Sequence, residues 1–188
     1  FEQFSFMPLK HLWSLAIEEQ FYLFFPAVLL LFMAIVKKKK NVILIFWIIS
    51  LVSLLMMVVI SQPHLNHSRV YFGTDTRLQT LLLGVLLAFI WPPFKLNPNP
   101  PKGLKTVINS AGIIGLTFLI LLSFTVSDES DWIYNGGFYL ISTMTLLIIA
   151  SVVHPTTILA KLLGNPLFVY IGKRSYSLYL WHFPVISF

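Results

Sequence analysis

Residues 21–61 read FYLFFPAVLLLFMAIVKKKKNVILIFWIISLVSLLMMVVIS, two apolar runs divided by Lys37, Lys38, Lys39 and Lys40. From Phe21 to Val36 there is no charged residue at all. A helix apolar all round has no face to turn toward water, so its solvent is lipid or protein. Inside lipid the backbone must satisfy its own hydrogen bonds, which leaves helices as the economical solution for such runs. The lysine block between them is the marker that membrane helices place at a cytoplasmic boundary.

Working outward, the same pattern repeats. Apolar segments run from about His11 to Val36, Val42 to Ser61, Thr74 to Trp91, Thr106 to Val126, Gly137 to Val153 and Leu167 to Phe188. A short interfacial piece is expected over Ile158 to Leu163, and the last segment is interrupted at Gly172-Lys173-Arg174-Ser175. The third segment stops at Pro92 and Pro93, where a helix should stop. The connector from Phe94 to Lys105 is stiffened by proline. The pattern predicts an all-α fold: a polytopic transmembrane helix bundle with about six membrane segments.

Composition agrees. The chain is 57% hydrophobic and 11% charged, against a charged share of ~25% in soluble domains. Its net charge of +6 does not point to nucleic acid, because the cations sit between apolar runs and do not form a face interleaved with aromatics. With no cysteine, disulfides and thiolate metal sites are excluded. No spacing of metal ligands, phosphate-binding glycine loop or nucleophile elbow occurs.

Lys37 to Lys40, Lys95, Lys102, Lys105, Lys161, Lys173 and Arg174 fall on one side of the predicted bundle, ten cations in all. Lys10, Arg69 and Arg77, together with all seven acidic residues, fall on the other. The lysine-rich side is therefore expected to be cytoplasmic, with the N-terminus of the chain outside.

Three polar clusters could carry chemistry. In His11-Leu12-Trp13-Ser14-Leu15-Ala16-Ile17-Glu18-Glu19-Gln20-Phe21-Tyr22, helical geometry puts His11, Glu18 and Tyr22 within about 40° of one another, with Glu19 about 100° away. Pro26 should kink the helix below them. The alternative is a solvated interfacial belt. Thr74-Asp75-Thr76-Arg77 opens the third segment and could be a simple N-cap. Arg77, entering an apolar helix, calls for a carboxylate, and Glu18, Glu19 or Asp75 could serve. Around Lys173 and Arg174 the choice is an anionic cofactor or lipid phosphate. Deeper in the same segment, His182 is an intramembrane acid–base group. The loop histidines His64, His67 and His154 are given no role.

These clusters resemble the signatures of the membrane acyltransferase-3 family, in its peptidoglycan O-acetyltransferase-like branch. The resemblance rests on the block from His11 to Tyr22, on Thr74-Asp75-Thr76-Arg77 leading to Leu83-Gly84, and on Ile171 to Pro184, in the same order. It implies a ten-helix protein taking acetyl from cytoplasmic acetyl-CoA to hydroxyls of an extracytoplasmic carbohydrate, with no permanently bound cofactor. It also implies that residues 1–188 are the central and later part of one acyltransferase domain. The family's first-helix arginine and histidine would precede Phe1, and any extracellular domain would follow Phe188. On this reading His11, Glu18, Tyr22 and His182 are catalytic: Tyr22 accepts acetyl transiently, Glu18 or His11 is its base, and His182 moves a proton. Glu19, Asp75 and Arg77 bind substrate or form an ion pair, and Lys173 and Arg174 meet the cofactor. The other class compatible with intramembrane Glu, His and Arg is a proton-coupled transporter or flippase.

Overall fold

The computed structural model describes residues 12–61, 68–126 and 130–187, and is helical almost throughout. Helix α1 spans Trp13–Val36 and α2 spans Lys39–Ile60, joined through Lys37 and Lys38 alone. A short helix α3, Ser68–Phe72, precedes α4, Thr74–Ile90. A 3₁₀ turn over Pro93–Lys95 leads toward α5, Lys102–Thr125. A π-helical turn, Ile133–Gly137, then opens α6, Phe138–Val153. Short helices α7 (Ile158–Leu163) and α8 (Pro166–Gly172) follow, then α9 (Ser175–Ser187).

Five of these segments are long and apolar enough to cross a membrane: Trp13–Val36, Lys39–Ile60, Thr74–Lys95, Lys102–Thr125 and Ile133–Val153. The sixth apolar stretch is present as two pieces, α8 and α9, divided at Lys173 and Arg174 where the sequence breaks. Helix α1 runs unbroken through Pro26. The polar loop expected over 62–73 holds a short helix at its C-terminal end; it forms because Thr76 Oγ1 donates to the carbonyls of Val70 (2.7 Å) and Gly73 (2.9 Å), tying α3 to the start of α4.

The helices pack in the order α1, α2, α4, α6, α5, with α7 lying against α5 and α6. Apolar lipid tails give helices little reason to associate through hydrophobicity, so close packing and interhelical hydrogen bonds must do it. Both are visible. Phe46, 1% exposed, is the centre of an aromatic cluster with Phe25, Phe32 and Phe89. Beside it runs a buried polar seam between α2 and α4. The Ser53 hydroxyl donates to the Asp75 carbonyl and accepts from the Gln79 N–H at 3.0 Å. Those are two groups that an α-helix joins directly, so α2 inserts a side chain into the α4 ladder. Gln79 Nε2 donates to the Thr76 carbonyl (2.9 Å) and to Met57 Sδ (3.1 Å), and Ser50 donates to the Gln79 carbonyl (3.2 Å).

At the lysine end, Trp91 Nε1 donates to the Ala150 carbonyl at 3.1 Å, pinning the end of α4 to the end of α6. His154, 2% exposed, closes α6; its Nδ1 meets the Thr156 hydroxyl at 3.0 Å, and Thr157 caps α7 by accepting from the Ala160 N–H. Its place is a buried corner, which accounts for a histidine in this loop without any chemistry.

Helices α5 and α6 approach closely at Gly115, where an added Cβ would lie 2.7 Å from the Met144 carbonyl oxygen. Backbone cannot move aside cheaply, so Gly115→Val should destabilise the bundle by ~1–3 kcal/mol, the range of overpacking. Gly84, with nothing within 4 Å of an added Cβ, is the control: Gly84→Ala should leave the thermal midpoint of the purified protein in detergent unchanged or slightly raised. Equal midpoints for the two variants would contradict this packing.

Candidate functional site

The end of the bundle opposite the lysines is organised around Arg77, one turn into α4. Its Nε donates to the Tyr71 carbonyl at 3.0 Å. The guanidinium lies over the rings of Phe138 (3.9 Å), Tyr71 (4.5 Å) and Trp13 (5.5 Å). Three elements therefore supply the aromatic faces: α6, α3 and the first turn of α1. The rings also pack on one another, Trp13 being 4.8 Å from both Tyr71 and Phe72. A guanidinium is planar and weakly hydrated, so it can lie flat on aromatic faces where an ammonium could not.

Asp75 is not its partner. Residues two apart on a helix point to nearly opposite sides, and Asp75 turns to α3, where both its oxygens accept from Arg69 at 3.0 and 2.8 Å. That hydrogen-bonded carboxylate holds the Arg69 guanidinium above its ordinary value. The bidentate pair orders α3 against α4 and so presents the Tyr71 carbonyl and ring to Arg77. Among the described residues Arg77 makes no ion pair, which leaves its terminal nitrogens available to an anion.

Arg77 borders an open space. Arg77, Glu18, Ser14, Trp13, Ile17, Thr80 and Leu81 line a cavity of about 120 Å³ between α1 and α4. Glu18 is half-buried there, while Glu19 is exposed. A contact between Thr74 Oγ1 and Gln20 Oε1, at 3.4 Å, joins the same two helices nearby. Ser14 carries the site to the last helix: its hydroxyl and that of Tyr179 are 2.6 Å apart. Tyr179 in turn packs on His182 at 5.6 Å, and its carbonyl lies 2.6 Å from His182 Nδ1.

The three blocks singled out in the sequence thus converge: Glu18 from the first, Arg77 from the second, Tyr179 and His182 from the third. Not every candidate joins them. Tyr22 is 61% exposed and packs edge-on against Phe21, away from the cavity. His11 lies outside the described residues. Lys173 and Arg174 are exposed, and Arg174 lies over the Tyr170 ring at 3.6 Å and donates to the Tyr170 carbonyl. They do not sit beside the lysine run. Arg174 is five residues, about 7.5 Å of helix, from Tyr179, whereas Lys37 is about 34 Å along α1 from the Ser14 that Tyr179 touches. Trp13, Ser14 and Tyr179 lie within the three polar blocks of the sequence, whereas Tyr71, Thr80 and Phe138 carry no charge or spacing that marks them.

Chemically, the cavity offers a carboxylate able to take a proton and a fixed cation able to meet developing negative charge. That is the pairing acyl transfer to an alcohol needs.

The acyltransferase-3 family model, described as an acyltransferase domain, matches residues 1–188. A protein of Staphylococcus aureus strain COL, provisionally named an O-acetyltransferase, is 65% identical over 188 residues, covering all of this chain. The O-acetyltransferase OatA of Staphylococcus aureus strain NCTC 8325 is 56% identical over the same length. The chain spans 31% of the length of these curated relatives. No solved structure matches it.

The two arginines should respond differently to loss of their partners. Asp75→Asn breaks an exposed pair and should cost no more than ~1 kcal/mol. Arg77→Met leaves the Tyr71 carbonyl without its donor and the rings without their cation, which should cost about 2 kcal/mol or more. Thermal midpoints in detergent measure both; a larger loss for Asp75→Asn would contradict the site as described.

Proposed function

The chain belongs to the acyltransferase-3 family, and on that premise we propose that the full-length protein is a multi-pass O-acetyltransferase of the cell membrane. It takes acetyl from acetyl-CoA on the lysine-rich, cytoplasmic side and delivers it to hydroxyls of an extracytoplasmic carbohydrate such as peptidoglycan or another cell-surface polysaccharide. The observation that carries this reading is the meeting of Glu18 and Arg77 at one cavity, at the end of the bundle away from the lysines.

The roles follow from position. Glu18 is the base that removes the acceptor hydroxyl's proton as that oxygen attacks the acetyl carbonyl. The bond between acetyl and its donor then breaks as the new ester forms, and the proton passes to the leaving group. Arg77, already positioned by the Tyr71 carbonyl and three rings, needs no reorganisation to stabilise the oxyanion, and preorganisation is where such stabilisation is strongest. The Ser14–Tyr179 contact links this cavity to the His182 helix and offers a path for the proton. Tyr22, on the next turn of α1 and exposed, is placed to meet an acyl group or glycan arriving from outside the described helices, with Glu19 at the same boundary. His11 would complete the face that holds Glu18. The N-terminus of the chain is then extracytoplasmic, and the lysine end still carries eight of the thirteen cations when Lys173 and Arg174 are counted with the other five.

In the full-length protein, Glu18→Gln keeps size and hydrogen bonding but removes the base. Glycan O-acetylation in cells producing it at wild-type level should fall roughly 10²- to 10⁴-fold, the contribution of a general base. Unchanged acetylation would remove Glu18 from the reaction.

A further inference from the structure

At the lysine end, a second cavity of about 360 Å³ opens where α1, α2 and α4 meet. Met33, Val42, Ala88 and Phe89 form its apolar wall, and Lys37, Lys39 and Lys95 stand around it. The three lysines come from three different places: the residue closing α1, the first residue of α2, and the 3₁₀ turn after α4. None of the residues lining it is acidic. Three cations converge here without an anion, where simple topological marking would be served equally well by lysines spread apart.

The backbone strengthens the case. Lys37 has φ 53°, the one positive φ outside glycine among the described residues. A side chain rarely adopts that conformation, and such an outlier persists only where its surroundings require it. It turns the chain within two residues and brings Lys37 and Lys39 to the same cavity. Helix α2 starts there as well, adding the unsatisfied N–H groups and positive end of a 22-residue helix. Lys39 donates to the Phe89 carbonyl at 2.9 Å, which fixes its ammonium and leaves two of its three N–H bonds for another acceptor. Phe94, 83% exposed beside Lys95, adds an aromatic face held by a proline-stiffened turn.

We propose that this cavity is a phosphate-binding site, seating phosphate groups on Lys37, Lys39 and Lys95 and an attached apolar or aromatic group against its wall. Several closely spaced phosphate oxygens suit three ammonium groups of independent reach, as point charges on flexible stems. Two sources carry that chemistry. One is the nucleotide end of the soluble acyl donor, which rests on the function proposed above and would move the donor site here from Lys173 and Arg174. The other is the headgroup of an anionic lipid.

The test uses the full-length protein in nanodiscs. Coenzyme A binding is measured by calorimetry in phosphatidylcholine discs, and retention of phosphatidylglycerol from mixed discs by native mass spectrometry. The variants are Lys37→Gln/Lys95→Gln together, Lys95→Arg, and Lys161→Gln on α7 as a control for overall charge at the same end. The double variant should weaken one of the two probes roughly 10-fold or more, with Lys95→Arg near wild type and Lys161→Gln within about twofold. Loss of coenzyme A binding identifies the donor as the source; loss of phosphatidylglycerol retention alone identifies the lipid. Wild-type binding of both probes by the double variant, an equal loss in Lys161→Gln, or no binding of either probe by the wild type would overturn the proposal. Acetyl transfer from acetyl-CoA by the wild type in the same discs reports separately on the proposed function.

Discussion

A guanidinium carried one turn into an apolar helix must recover, from protein, the interactions it gives up by leaving water. At Arg77 the recovery comes from one backbone carbonyl and three aromatic rings, not from a carboxylate. The choice has consequences across the bundle. It requires α3 to be held so that Tyr71 faces α4, which the Arg69–Asp75 pair and the Thr76 hydroxyl accomplish. It requires α6 to begin where Phe138 can reach, and the turn before it bends at Gly136, whose φ of 108° suits glycine alone. It also draws the first turn of α1 inward through Trp13. An arginine held by rings and a carbonyl instead of an acid keeps its charge available, and this makes the neighbouring cavity electropositive on one wall and acidic on the other.

The two ends of the bundle use polar groups for different purposes. Between them, the seam of Ser50, Ser53 and Met57 on α2 against Asp75 and Gln79 on α4 holds the two helices with interhelical hydrogen bonds, each worth on average only ~0.6 kcal/mol in a membrane. Together they set the register of α2 on α4 that brings Lys39 level with Phe89. The Gln79 side-chain oxygen is buried without a partner among the described residues, so this seam places geometry above complete satisfaction. The lysine end, by contrast, is solvated and gathers charge on turns.

Much of the fold was legible in the sequence, because lipid demands long uncharged runs and tolerates little else. The apolar run before Lys37 and the two halves split at Lys173 and Arg174 agree with the helices to within a few residues. The site was legible only in part. Glu18, Arg77 and the His182 block stand out as polar groups in apolar surroundings, but their partners do not. Phe138 is sixty-one residues from Arg77 in the chain, and an aromatic ring in an apolar helix has no spacing that marks it as a cation's partner. Helical periodicity correctly gives Tyr22 the same direction as Glu18. It cannot say that below Glu18 the helix packs on α2 and α4 through Phe21, Phe25, Leu29 and Phe32, which leaves Tyr22 exposed. The pairing of Asp75 with Arg69 depends on a five-residue helix within what reads as a polar loop.

The central claim is that Arg77 acts as a flat, preorganised cation beside Glu18 and not as a general positive charge. Arg77→Lys in the full-length protein tests it most directly, since lysine keeps the charge but cannot lie on three rings while donating to the Tyr71 carbonyl. At wild-type protein level in the membrane, acetyl transfer should fall by roughly 10²-fold or more, the cost of losing one preorganised donor. Transfer of acetyl by the Arg77→Lys variant at the wild-type rate would contradict the account.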